Sequence, residues 1–249
     1  MSKRRRRSSS TPAKRDPKTL AFWAFIAVAL VVGAGMYWAT SARPSETPAY
    51  VSSYTPAVQP KMVPVFLIGD SYTGGSDQGG NDGKGWPRLV NRNLLDSGVG
   101  INIMDTAVGG AGYVAPAPKG ETFRQLAGNI TSDAKAVVVF GSRNDGGRNV
   151  SAAANELFAD IKAKAPDATL LVIGPPWINE NVPAPILSIR DQLRTEAAAV
   201  GATFVDPVAE GWFFGDKASL IGADGVHPTD EGHIYMAELI QPHIVAAIS

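Results

Sequence analysis

Val63-Pro64-Val65-Phe66-Leu67-Ile68-Gly69-Asp70-Ser71 is an apolar run of strand length that ends on a small residue, an acid and a hydroxyl. It predicts a β-strand over Val63–Ile68 that delivers a serine at its carboxyl end. Four more runs of strand length follow: Ile101–Asp105, Ala136–Phe140, Thr169–Ile173 and Thr203–Val205. Helical patterns separate them at Trp86–Asp96, Glu121–Ile130, Ser151–Ala165, Ala184–Val200 and Asp230–Ala247. In the last, Ala237, Ile240, Ile244 and Ile248 recur at helical spacing and mark a buried stripe. Thr229 is its expected cap, and Pro242 is expected to kink it or split off the final turns. Five strand–helix alternations imply an α/β domain with a parallel five-stranded sheet covered by helices on both faces. Val137-Val138-Val139-Phe140 is apolar on both sides, as such a sheet requires.

Sites in open α/β sheets form beyond the carboxyl ends of the strands. Ser71, Gly110, Asn144 and Pro175-Pro176-Trp177 all follow predicted strands and should converge on one rim. The Gly-rich stretch Gly74–Gly85 is too long for a tight turn and is expected as a loop beside that rim.

Upstream of the domain the composition changes. Residues 1–19 carry eight Lys/Arg and one acid, Asp16. Leu20–Ala39 is 20 mostly apolar residues without charge. As a helix that run spans roughly 30 Å, the thickness of the hydrocarbon core. Trp23 lies near one end, and Tyr37 and Trp38 near the other, at interfacial positions. The expected organisation is a basic cytoplasmic segment (1–19), a transmembrane anchor (20–40), a Pro-rich linker (41–61) and a folded domain (62–249). The positive-inside rule then puts the folded domain outside the cytoplasm. A cleaved signal peptide is the competing reading, with Thr40-Ser41-Ala42 as the cleavage site. Cleavage would make the domain a secreted one.

From Lys61 onward, 14 basic and 21 acidic residues leave a net charge of −7. An acidic body argues against nucleic acid as a partner. The chain has no cysteine, which excludes disulfides and thiolate metal sites. No His/carboxylate spacing of zinc-ligand type is present, and no metal or organic cofactor is expected.

The residues suited to chemistry are few. Ser71 sits at a strand-to-helix junction, where its own backbone N–H is free to donate. Asp70 is expected to hold that turn through backbone hydrogen bonds. Asp224 and His227 form an Asp-x-x-His turn stiffened by Pro228, which can supply a base together with the acid that fixes its tautomer. His233 and His243 fall in the last helix and are expected as surface or partly buried packing residues. Asn144 offers a side-chain amide to a developing oxyanion, or shapes its loop as an Asx turn. Val108-Gly109-Gly110-Ala111-Gly112 is flexible enough to bring a backbone N–H to the same point.

The order Gly69-Asp70-Ser71, Gly-rich turn, Asn144-Asp145, Asp224-x-x-His227 resembles the SGNH hydrolase superfamily, the GDSL esterases and lipases. The likeness covers residues of about 63–248. It implies a flavodoxin-like three-layer α/β/α sandwich. It also implies Ser71 as nucleophile, His227 as general base and Asp224 as its orienting acid. The oxyanion hole would comprise the Ser71 and Gly110 amides and the Asn144 side chain. Gly85-Trp86-Pro87 is similar to a packing feature of the family. Two blocks depart from the pattern. Asp105 and Ala107 stand where the second block has Asn and Gly, which keeps Gly109 and Gly112 open as alternative donors. Ser142 and Arg143 fill the glycine and variable positions of the third.

The resemblance implies a serine esterase acting through an acyl-serine. Small acyl esters, acetyl first, on carbohydrate or cell-envelope substrates are the expected class for a domain tethered outside the cytoplasm. An O-acetyltransferase would use the same triad. A non-catalytic glycan-binding domain would not need the intact set of Ser71, Asn144, Asp224 and His227. Arg143 either attracts an anionic or acetylated sugar or pairs with a carboxylate on the surface. Trp177 and Trp212 are expected to contact substrate from their loops, or else to cap the core.

Overall fold

A computed structural model describes residues 16–41 and 61–249. The first fifteen residues and 42–60, which hold most of the expected basic segment and linker, lie outside the described residues. The chain separates into two compact units, Met1–Thr55 and Pro56–Ser249.

The first unit contributes one helix, α1 (Pro17–Ser41, 25 residues), none of whose residues is buried. An 18-residue stretch of it has a mean hydropathy of 2.2, so the helix is long and apolar enough to cross a membrane.

The second unit alternates strands and helices: β1 (Val63–Gly69), α2 (Ser71–Gly74), α3 (Trp86–Asp96), β2 (Ile101–Asp105), α4 (Phe123–Leu126), β3 (Ala136–Phe140), α5 (Ser151–Lys164), β4 (Thr169–Ile173), α6 (Ala184–Ala199), β5 (Thr203–Val205) and α7 (Asp230–Ile248). The five strands pair in parallel in the order β2-β1-β3-β4-β5. This is the flavodoxin-like doubly wound order, and its topological switch point lies between β1 and β3.

Alternate side chains of each strand enter two separate cores. Phe66, Ile68, Val137 and Val139 pack with Leu157, Phe158 and Ile161 of α5 and with Ile189 and Leu193 of α6. Val65, Leu67, Val138 and Phe140 pack with Trp86 and Val90 of α3 and with Ile240 and Ile244 of α7. Each such fully buried side chain contributes about 1.5–3 kcal/mol of transfer free energy. Burial on both faces is why these strands read as unbroken apolar runs.

Two expectations need correction. The helix anticipated over Glu121–Ile130 is a single turn, Phe123–Leu126, that tightens into a 3-10 turn at Ala127–Asn129. Thr122 starts it later than expected, as the cap of a capping box in which its N–H donates to Gln125 Oε1 at 2.8 Å. Gly128 then weakens any continuation. Pro242 does not split α7, which runs unbroken to Ile248. Pro242 and Glu238, whose carbonyl loses its partner, both face solvent, while Ile240 and Ile244 anchor the opposite face.

Candidate active site

Ser71 opens α2 immediately beyond β1. Asp70 caps that helix, its Oδ1 accepting from the Tyr72 N–H at 2.9 Å. Gly69 has no side chain because a Cβ there would lie 2.4 Å from Thr73 Oγ1, inside the turn that follows. The strand-to-helix junction therefore holds the Ser71 hydroxyl at the carboxyl rim of the sheet.

His227 arrives from the far end of the chain. Its Nε2 lies 2.9 Å from Ser71 Oγ, and its Nδ1 lies 2.6 Å from Asp224 Oδ2. Asp224 Oδ1 accepts from the Val226 N–H at 2.8 Å and the His227 N–H at 3.0 Å. One carboxylate thus binds both the ring and the backbone of the residue it orients. The His227 N–H, and next the His227 ring, hold Asp224 down at about 2, so it is ionised at any physiological pH.

The three side chains border a cleft of about 700 Å³, also lined by Gly75, Ser76, Asp77, Gln78, Gly109, Gly110, Pro118 and Asn144. Every residue expected to carry chemistry is here: Ser71, Asp224, His227, Gly110 and Asn144. The Gly-rich loop after α2 forms one wall, as expected.

A model of the GDSL-like lipase/acylhydrolase family matches residues 67–234. A GDSL lipase of Mycobacterium tuberculosis is 43% identical over 205 residues, which is 79% of this chain and 88% of that protein. The chain belongs to the GDSL-like lipase/acylhydrolase family. It is a carboxylic ester hydrolase of the SGNH type. Solved structures extend the likeness in fold. The lipase/acylhydrolase of Enterococcus faecalis has a TM-score of 0.59 at 19% identity, covering 74% of this chain and 96% of that one. A family two carbohydrate esterase of Clostridium thermocellum, solved with cellohexaose, has a TM-score of 0.58 at 16% identity, covering 77% and 66%.

In this GDSL protein the third block is a single 3-10 turn, Arg143–Asp145, at the end of β3. Each of its residues reaches a different neighbour. Asn144 Nδ2 donates to the Ala111 carbonyl at 2.8 Å and to Asp70 Oδ2 at 3.1 Å. Asp145 is fully buried and accepts from the backbone N–H groups of Tyr113, Val114 and Ala115 at 2.9, 2.8 and 2.7 Å, and from the Ser142 hydroxyl. Gly112 makes room for it, since a Cβ there would lie 2.8 Å from the carboxylate. Gly112 gives its own N–H to the Ala115 carbonyl, so it is not a free donor. The Ser71, Gly109 and Gly110 amides have no acceptor among the described residues, and both glycines line the cleft. Gly110 adopts φ +86°, a conformation that glycine reaches without strain.

Arg143 pairs with no carboxylate among the described residues. Its Nη1 lies 3.3 Å from both the Tyr72 hydroxyl and the Val226 carbonyl, and its guanidinium lies 4.3 Å above the Trp177 ring. Neither Arg143 nor Trp177 lines the cleft. Trp212 is corrected outright: it is 1% exposed, packs edge-on against Phe140 and donates to Glu210 Oε2 at 2.7 Å. Its loop folds back over the core between sheet and α7, so the indole caps the core and does not meet substrate. His233 is likewise fully buried, not partly so, and its ring abuts Gly80. Burial pushes it down to about 4.

Burial also pushes Asp70 up to about 7, against the Tyr72 N–H and the charges of His227 and Arg143. Tyr72 is raised to about 12, again chiefly by burial. Among the described residues no group of three His, Asp or Glu side chains is placed to hold a metal ion. Sequence reasoning missed Asp145 as a clamp and Asp77 and Gln78 as cleft residues. The signal for the last two was their place in the Gly-rich loop. For Asp145 it was only a carboxylate next to a predicted oxyanion donor.

Proposed function

We propose that this protein hydrolyses small acyl esters, acetyl first, of polar leaving groups such as carbohydrate hydroxyls, with Ser71, His227 and Asp224 as its triad. The observation that carries the reading is the continuous 2.9 and 2.6 Å chain from Ser71 Oγ through His227 to Asp224, opening into the cleft. His227 takes the Ser71 proton as Oγ attacks the ester carbonyl. Asp224 holds the ring in the tautomer that leaves Nε2 free to accept. The Ser71 and Gly110 amides receive the oxyanion. Asn144 adds the hydrogen it now shares with Asp70, the longer of its two bonds. His227 returns the proton to the leaving alcohol, and the acyl-serine is cleaved by water that His227 activates.

The cleft supports the substrate class. Among the described residues its lining includes no Leu, Ile, Val, Met, Phe or Trp. A long acyl chain therefore finds no apolar groove in which to leave water, where each buried methylene would contribute about 0.8 kcal/mol. Ser76, Asp77 and Gln78 instead offer hydrogen-bonding groups to a hydroxylated leaving group. A carbohydrate esterase among the structures of similar fold is consistent with that choice.

The α1 helix anchors the chain as a single span, its basic end in the cytoplasm, with residues 62–249 forming the hydrolase domain outside. Protease protection of the N-terminus in sealed vesicles, together with digestion of the domain from outside, supports this topology. A mature chain beginning near Ala42 overturns it in favour of a signal peptide.

The substrate assignment is tested with p-nitrophenyl esters from acetate to palmitate and with acetylated xylan and peptidoglycan. The expected result is a fall in kcat/KM with chain length and complete loss of activity in Ser71→Ala. A preference for palmitate refutes the small-acyl reading.

A further inference from the structure

We propose that Arg143 is a positioning residue for the base, a stacked clamp that holds the Val226–His227 peptide and thereby keeps the His227 ring on Ser71. The proposal rests on the triad reading above.

The segment from Asp224 to His227 is a surface loop, and Asp224 itself is exposed. Its base is closed by Thr229 N–H on the Leu220 carbonyl at 2.9 Å, and Gly222 N–H on the His227 carbonyl at 2.8 Å is internal to it. Apart from the bond to Ser71, the hydrogen bonds reaching this loop from the strand ends, among the described residues, come from two side chains. Tyr72 Oη donates to the Val226 carbonyl at 2.5 Å, and Arg143 Nη1 donates to the same oxygen at 3.3 Å. Arg143 Nη1 also donates to Tyr72 Oη at 3.3 Å, which turns the tyrosine hydrogen toward Val226.

The oxygen they hold belongs to the peptide group whose N–H is that of His227. That N–H donates to Asp224 Oδ1 at 3.0 Å. The peptide is therefore gripped at its carbonyl from the sheet side and at its N–H from the loop side. Its plane sets the direction of the His227 Cα–Cβ bond. The Tyr72–Arg143 side of the grip depends in turn on Trp177, whose ring lies 4.3 Å from the guanidinium carbon and fixes its plane. No carboxylate among the described residues does that work. Lysine replaces this arrangement only in part, because its ammonium has no plane to stack on Trp177 and its donors are not fixed in direction. Neither Arg143 nor Trp177 lines the cleft, so the contact acts through His227 and not on substrate.

The test uses the full chain in detergent with p-nitrophenyl acetate. Arg143→Met is expected to lower kcat by about 10–100-fold with KM held within about twofold, the signature of a misplaced catalytic group. Arg143→Lys recovers only part of the loss. Trp177→Leu lowers kcat by a smaller factor, and adding it to Arg143→Met brings no further loss because both act through one contact. Amide hydrogen exchange at Gly225–His227 rises in Arg143→Met while the β1 and β3 amides stay protected. Retained kcat, a KM increase with intact kcat, or unchanged loop exchange each overturns the clamp. Trp177→Leu leaves the Arg143 hydrogen bonds possible and carries the same kcat-against-KM test if the methionine variant does not fold. Residual turnover in Ser71→Ala would instead overturn the triad reading. An inactive Ser71→Ala beside a fully active Arg143→Met removes the clamp alone.

Discussion

Asp145→Asn separates a structural carboxylate from its catalytic neighbours by a single atom. Asp145 Oδ1 accepts from the Val114 and Ala115 amides, and Oδ2 accepts from the Tyr113 amide and the Ser142 hydroxyl. An amide has only one accepting oxygen. With that oxygen at the Oδ1 position, the Tyr113 N–H at 2.9 Å meets an NH2 group, although the Ser142 hydroxyl can turn and accept. One buried backbone N–H is then orphaned, which costs about 1–3 kcal/mol. The two remaining bonds lose charge assistance, which on the usual scale is about 1 kcal/mol each. The other orientation orphans two amides and is worse. The expected destabilisation is about 3–5 kcal/mol, a large share of the roughly 5–15 kcal/mol that holds a domain together. At about 2–4 °C per kcal/mol for a domain of this size, Tm falls by about 6–20 °C. Urea unfolding followed by circular dichroism measures the free energy, and calorimetry the Tm. The variant's kcat should fall as well, because the loosened 113–115 turn carries Gly110 with it. A loss of stability below about 1 kcal/mol would refute the reasoning, since it would mean the three amides find water or other acceptors in a site the structure closes.

His227→Ala is expected to abolish p-nitrophenyl acetate hydrolysis while leaving the circular dichroism spectrum unchanged; wild-type turnover would remove it from the reaction. Asn144→Ala should slow turnover by roughly 100-fold or more if its amide reaches the oxyanion, and an unchanged rate would restrict it to holding Asp70 and Ala111. Burial holds His233 at about 4 against an ordinary 6.5, so the unfolded chain takes up a proton that the native one refuses as pH falls through that window, and stability drops by up to about 3 kcal/mol. The difference in unfolding free energy between the natural protein and His233→Gln should therefore change between pH 7 and pH 4; a constant difference would show that His233 does not titrate this way. A chain beginning at Lys61 should be soluble and active, whereas the full chain should partition with membranes, as fractionation would report.

Much of the fold was legible because a doubly covered parallel sheet imposes a pattern that needs no partner to be seen. Ile101–Asp105, Ala136–Phe140, Thr169–Ile173 and Thr203–Val205 are strands over the residues expected. The triad was legible for a different reason: Ser71 follows a strand, and Asp224 and His227 share one short turn, so local sequence carries most of their geometry. What stayed hidden depends on contacts between distant segments. Trp212 has no periodic neighbours to announce burial, and only the packing of its loop on Phe140 places it in the core. Asp145 was not legible as a clamp because its donors, the amides of Tyr113 to Ala115, lie some thirty residues upstream. Arg143 suggested a surface ion pair because sequence cannot show that Trp177 and Val226 converge on it.

The strand order explains why so short a turn can do so much. β1 and β3 are direct neighbours at the switch point, with Gly69 paired to Phe140, so the segments leaving them start about one strand spacing apart. From β1 come the nucleophile and its cap, Asp70. From β3 comes a turn of three residues whose side chains must diverge, because successive positions of a 3-10 turn point about 120° apart. One therefore faces the cap and the Gly110 loop, one the amides beneath that loop, and one the incoming histidine segment. The same divergence means that lengthening or shortening the turn by one residue would exchange these three partners among wrong side chains. The catalytic rim should accordingly tolerate insertions at the exposed Asp82–Gly83 tip of the Gly-rich loop, where no described residue packs against Gly83, far better than in the stretch from Ser142 to Asp145, as p-nitrophenyl acetate turnover of the two insertion variants would report.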